Sequence, residues 1–109
     1  MFGRVPEVTV EELKAMRDRG DRFVLVDVRE PHEWPIADLP DSVKIPLATL
    51  PQNLGKLSPG DEIVVYCRIG GRSGNAVAFL QRQGYEKAKN LAGGILRWAD
   101  AIDPSMQKY

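Results

Sequence analysis

Two short runs limit what this chain can become. Phe23-Val24-Leu25-Val26-Asp27-Val28 and Ile63-Val64-Val65-Tyr66 are almost continuously apolar and rich in β-branched residues. A strand with one wet face alternates apolar and polar residues, whereas an unbroken run marks a strand covered on both faces, the habit of parallel sheets. The segments around these runs carry helical spacing. Thr9 and Glu12 stand at capping-box distance ahead of Val10, Leu13 and Met16, which predicts a helix from Val10 to about Arg19, closed by Gly20. Ala76, Val77, Phe79 and Leu80 predict a second helix ending at Gly84, and Ile95, Trp98, Ala99 and Ile102 a third ended by Pro104. Prolines at 31, 35, 40, 46 and 51 leave room only for turns, a short strand at 43–45 and a short helix at 47–54. A last short strand is expected at 89–91. Strands alternating with helices predict the α/β class with a parallel sheet.

At 109 residues, with no internal repeat, linker or low-complexity stretch, the chain is expected to form a single domain over 1–109. One cysteine, Cys67, and one histidine, His32, provide neither an internal disulfide nor a structural zinc site, so no metal and no cofactor is expected. Lys and Arg total 15 against 15 Asp and Glu, which leaves no electrostatic footprint for nucleic acid and no polybasic patch for a membrane. The N-terminal stretch MFGRVPEVTVEEL lacks the apolar core of a signal peptide, and no stretch approaches a membrane span. The expected location is cytoplasmic, where a lone thiol stays reduced.

That thiol sits at the carboxyl end of the second apolar run, where ligands bind in open α/β sheets. Behind it comes Arg68-Ile69-Gly70-Gly71-Arg72-Ser73, then a helix. The glycines let successive backbone N–H groups turn inward as a nest, and the helix start adds the positive end of its dipole. Both favour an anion, and the Cys67 thiolate is one, because helix N-termini and arginines lower a thiol's pKa. Arg68 and Arg72 supply planar donors suited to an oxyanion. The bland alternative makes Cys67 a small apolar residue ending a strand. Two arginines and two glycines directly after it are not needed for packing, and they favour the reactive reading.

The run from Cys67 to Ser73 behind Ile63–Tyr66 resembles the active-site loop of rhodanese domains, sulfurtransferases that carry sulfur as a cysteine persulfide. Three further stretches agree in order and spacing. Val26-Asp27-Val28-Arg29-Glu30 with His32-Glu33-Trp34 is similar to the family's first signature, Ile45-Pro46-Leu47 to its middle marker, and Leu91-Ala92-Gly93-Gly94-Ile95-Leu96-Arg97-Trp98 to its C-terminal signature. The resemblance implies a rhodanese-like three-layer fold, a five-stranded, mostly parallel sheet with helices on both faces. Where the family commonly has Gly-His-Ile-Pro-Gly-Ala, this chain reads Ala37-Asp38-Leu39-Pro40-Asp41-Ser42. Asp tolerates a left-handed conformation better than most residues, so the turn is expected to survive.

The resemblance implies Cys67 as nucleophile and sulfur carrier, the N–H groups of residues 68 to 73 as the cradle for the outer sulfur, and Arg68 and Arg72 as guides for an anionic donor such as thiosulfate. A cysteine desulfurase is the alternative donor. Asp27 and Arg29 are expected to support the site by bonding to the loop or its arginine. His32 reads more simply as a surface residue than as a base, and Trp34 and Trp98 either pack in the core or line the acceptor's approach. Two competing functions remain. Thiol phosphatases place an arginine six positions after the cysteine, whereas Arg72 is five after Cys67, a tighter cradle that suits sulfur better than phosphate. A non-catalytic interaction module is the other, since some rhodanese-like domains lack the cysteine, although this chain keeps it. The ending Asp103-Pro104-Ser105-Met106-Gln107-Lys108-Tyr109 is similar to that of C-terminal rhodanese domains in enzymes that adenylate ubiquitin-like sulfur carriers, which makes such a carrier a candidate acceptor.

Overall fold

In the computed structural model, which describes residues 4–109, five strands form one parallel sheet in the order β1-β5-β4-β2-β3. They are β1 (Glu7–Val8), β2 (Val24–Asp27), β3 (Val43–Lys44), β4 (Ile63–Tyr66) and β5 (Ala88–Leu91). Three α-helices, α1 (Val10–Arg19), α2 (Gly71–Arg82) and α3 (Gly94–Ala101), join 3-10 segments at Pro31–Glu33 and Leu47–Lys56. Of the N-terminal stretch read for a targeting signal, residues 1–3 lie outside the described residues.

The period of two along the inner strands sends successive side chains to opposite layers. Leu25, Val64 and Tyr66 join a core with Val10 and Leu13 of α1 and Ile95 and Trp98 of α3. Val26, Ile63, Val65 and then Cys67 join another with Ala76, Val77 and Leu80 of α2, Leu50 of the long 3-10 segment and Leu57 just after it. The continuous apolar runs are thus wetted on neither face. Burying each large aliphatic side chain contributes about 1.5–3 kcal/mol. Because β4 is the middle strand, Cys67 emerges at the centre of the sheet's carboxyl edge, on the α2 side.

Local signals explain the boundaries. The predicted capping box of α1 forms: the Glu12 N–H donates to Thr9 Oγ1 at 3.0 Å, the Thr9 N–H to Glu12 Oε1 at 2.9 Å. Asp41 adopts φ 65°, the left-handed conformation expected of it in the turn that replaces the family's glycine. The helix expected at 47–54 is 3-10 rather than α, with Pro51 inside it and a non-helical Asn53. β1 went unread, since two residues at a sheet edge show no period. And α2 begins at Gly71, so half of what reads as loop is its first turn.

Candidate active site

Cys67 is 1% exposed. Gly70 at φ 113° reverses the chain just behind it, a conformation open to glycine and costly for other residues. This brings the Gly70 N–H to 3.1 Å from Cys67 Sγ, the Ser73 N–H to 3.4 Å and the Ser73 hydroxyl to 3.2 Å. Burial alone would push the thiol up. The Ser73 hydroxyl and the N–H groups of Ser73, Gly70 and Ile69 outweigh it and hold the thiol below its ordinary value. Of the N–H groups expected between 68 and 73, then, those of Ile69, Gly70 and Ser73 act on Sγ. The Ser73 side chain is a further donor that the sequence reading had not counted.

The loop is held from behind by α3 and β5. At the start of α3 the Ile95 N–H donates to the Cys67 carbonyl at 2.9 Å and the Leu96 N–H to the Arg68 carbonyl at 3.0 Å. This close approach requires Gly94, since a Cβ there would lie 2.4 Å from the Arg68 carbonyl oxygen. From β5, Asn90 Nδ2 donates to the Gly70 carbonyl at 3.1 Å, and Asn90 Oδ1 accepts from Ser73 Oγ at 2.5 Å. Asn90, 4% exposed, was not anticipated as a site residue. The sequence shows it only as the middle residue of the short strand expected at 89–91.

Both loop arginines are paired within the protein. Arg72 forms a two-pronged ion pair with Glu33, at 2.6 and 2.9 Å. These bonds from Arg72 draw the Glu33 carboxyl down to about 2 against the opposing effect of burial, with help from the Glu30 N–H and the Tyr109 hydroxyl. The Arg68 Nε–H donates to the Tyr109 carbonyl at 2.5 Å, with the guanidinium 5.2 Å from that ring's centre. Glu33 and Tyr109 are partners the sequence did not identify.

Asp27 and Arg29 correct an expectation. They bond neither to the loop nor to its arginine. Both are fully buried and engage each other, with Arg29 Nε 3.0 Å from Asp27 Oδ1 and Nη2 2.9 Å from Oδ2. Lys44 Nζ at 3.1 Å and the Tyr66 hydroxyl at 3.0 Å also bond to Asp27, and Arg29 donates to the Ala37 carbonyl at 2.9 Å. The physical reason is desolvation: charges this deep persist only with partners, and these use up the pair's bonding capacity. Burial would raise the Asp27 pKa, but Arg29 and Lys44 lower it overall. The network reaches the loop only through Tyr109 and Glu33, which also bond to Arg68 and Arg72. Arg29 Nη1 donates to the Tyr109 hydroxyl at 2.9 Å, which donates to Glu33 at 2.9 Å, which holds Arg72.

The remaining candidates separate cleanly. His32 is exposed on the Pro31–Glu33 turn, Trp98 is core, and Trp34 stands 5.9 Å from Lys44 Nζ with its indole N–H buried and unpartnered. Ile69, at the tip of the loop, is 60% exposed. Among the described residues no group of three or more His, Cys, Asp or Glu side chains is placed to hold a metal ion, and no helix is long and apolar enough to cross a membrane.

A buried thiol surrounded by N–H and O–H donors lies at the junction of a parallel strand and a helix N-terminus in this α/β domain. Residues 9–101 match the family model of the Rhodanese-like domain, and the chain belongs to that family. It is similar to a sulfurtransferase of Allochromatium vinosum, 36% identical over 87% of this chain and 89% of that protein. The adenylyltransferase and sulfurtransferase MOCS3-2 of Zea mays is 35% identical over 94% of this chain, which spans 23% of that longer protein. Among solved structures, the human single-domain sulfurtransferase TSTD1 superposes with a TM-score of 0.77 at 28% identity, over 88% of this chain and 96% of that one. Family and relatives together support sulfur transfer as the general activity.

Proposed function

We propose that this protein is a thiosulfate sulfurtransferase of the rhodanese type, moving sulfane sulfur through a persulfide on Cys67. The observation that carries the reading is the convergence of the Gly70 N–H, the Ser73 N–H and the Ser73 hydroxyl on Cys67 Sγ. The thiolate attacks the outer sulfur of the donor, and the donor's S–S bond breaks with its electron pair on the leaving group, sulfite when the donor is thiosulfate. A desulfurase persulfide serves the same role with a thiolate as leaving group. The acceptor's nucleophile then attacks the outer sulfur, and the pair in the Cys67–sulfur bond returns to Sγ. Both steps are two-electron displacements that need no metal, oxidant or reductant. With no second cysteine in the chain, the loaded sulfur waits for an external acceptor.

Arg72 and Arg68 lie beside the loop as cations whose partners hold them in fixed orientation, and they are the groups to steer an anionic donor. For the acceptor, a ubiquitin-like sulfur carrier fits the tail ending in Tyr109 and the relatedness to MOCS3 proteins. Thiosulfate and cyanide supplied together should yield thiocyanate, with the activity lost in Cys67→Ser. Turnover of an aryl phosphate ester without thiocyanate would instead establish the phosphatase alternative.

A further inference from the structure

Ser73 has one hydroxyl proton and two acceptors for it. Its Oγ lies 2.5 Å from Asn90 Oδ1 and 3.2 Å from Cys67 Sγ, and a hydroxyl makes one well-aligned donation at a time. The Asn90 amide is fixed in orientation by its other end. Nδ2 donates to the Gly70 carbonyl at 3.1 Å, and turning the amide over would set two carbonyl oxygens against each other. Ser73 is 0% and Asn90 4% exposed, so bulk water does not take the place of either acceptor.

The geometry points to a hydroxyl switch, in which the Ser73 O–H follows the charge on Cys67 Sγ and Asn90 is the positioning residue that supplies the alternative acceptor. This rests on the persulfide reading above. A neutral thiol is a weak acceptor, so in that state the hydroxyl donates to Asn90 and its oxygen is free to accept from the S–H. A thiolate is the stronger acceptor and draws the hydroxyl to itself. Once the outer sulfur is bound, Sγ carries no formal charge and the hydroxyl returns to Asn90. During release the Cys67–sulfur bond breaks with its electron pair on Sγ, and the hydroxyl swings in as that charge arrives. The contact is therefore stronger in the transition state for release than in the loaded state, the condition for accelerating the step. Asn90 also holds the Gly70 peptide, and so its N–H, in place.

The charged or titratable groups on the neighbouring elements are Arg72 on α2, Glu33 on the 3-10 turn, Arg68 at the loop's start, and the Tyr109 hydroxyl. They engage one another, and none is hydrogen-bonded to Ser73 or Asn90. Apart from its hold on the Gly70 peptide, the Asn90 effect is therefore expected to run through the Ser73 hydroxyl.

Ultraviolet absorbance of the thiolate, followed against pH in unloaded protein, reads the switch without sulfur transfer. Ser73→Ala should raise the thiol's midpoint by roughly half a pH unit or more, and Ser73→Thr should restore it. Asn90→Leu removes the competing acceptor and should lower the midpoint. In a Ser73→Ala background the same Asn90 change should move it much less. Above all these midpoints, Ser73→Ala should slow release from preloaded protein roughly tenfold, a larger effect than on loading. If Asn90→Leu fails to fold, the comparison of Ser73→Ala with Ser73→Thr decides alone. Equal Asn90 shifts with and without the hydroxyl, or an unmoved midpoint in Ser73→Ala, would overturn the switch. Absence of any persulfide on Cys67 in the unaltered protein would overturn the reading on which it rests.

Discussion

Two neighbouring strands of this sheet end in charged sequence and use it in opposite ways. β2 runs into Asp27-Val28-Arg29 and β4 into Cys67-Arg68, with Asp27 opposite Tyr66 in register. At the β2 end the charges lie on side chains that answer one another: Asp27 takes Arg29, Lys44 and Tyr66, while Arg29 takes Asp27, Ala37 and Tyr109. At the β4 end several donors converge on one sulfur. A closed polar network holds a shape. A set of donors around a single sulfur favours its charged form. Buried charge alone does not separate the two ends; the balance of donors against acceptors does.

The comparison breaks most visibly where the loop is forced off its support. Gly94→Ala puts a Cβ against the Arg68 carbonyl at a residue with φ 64°. Sulfur transfer should fall on the order of 100-fold, measured by thiocyanate release, because small displacements of reacting groups cost about that much. The β2 network makes no contact there, so the variant should still fold. Arg29→Met is the mirror test. It leaves the Asp27 carboxylate buried without its main partner and should cost about 3–5 kcal/mol in denaturant unfolding. The thiol midpoint of the folded fraction should move little.

Glu33 joins the two ends, and pH tests the joint. Its carboxyl is held at about 2, below an ordinary value of 4.5. A lowered folded-state pKa contributes stability that is complete above the unfolded value and is lost as pH falls from about 4.5 towards about 2. The partner Arg72 is 35% exposed, so screening reduces the effect to on the order of 1–2 kcal/mol. Unfolding free energy followed over that range should show the loss in the unaltered protein and lack it in Glu33→Gln. The smallest effect belongs to Ile69→Ala. An exposed side chain at the loop tip should change stability within about 0.5 kcal/mol by thermal melting.

What could be read from the sequence follows from how far apart interacting residues lie. Cys67, Gly70 and Ser73 are within six positions of one another, so their proximity was visible as a string. Four of the five strands and the three α-helices were visible for the same reason, each being a local pattern that the two-residue β1 lacks. Asn90 lies 17 residues from Ser73, Glu33 lies 39 from Arg72, and Tyr109 lies 76 from Glu33. Only the sheet order brings them together. Asp27 and Arg29 were expected to bond to the loop, but the string of residues does not tell a partner to the loop from a partner to each other. Their two-residue spacing across a strand end let Arg29 fold back on Asp27, which rotamer geometry decides and sequence pattern does not.

The central claim is that Cys67 carries sulfur, and intact mass measures it directly. After treatment with thiosulfate and removal of excess donor, the protein should gain the mass of one sulfur atom, lose it on adding a thiol reductant, and gain nothing as Cys67→Ser. A folded, unmodified protein under the same treatment and with a desulfurase persulfide as donor, or an equal gain in the Ser variant, would contradict it.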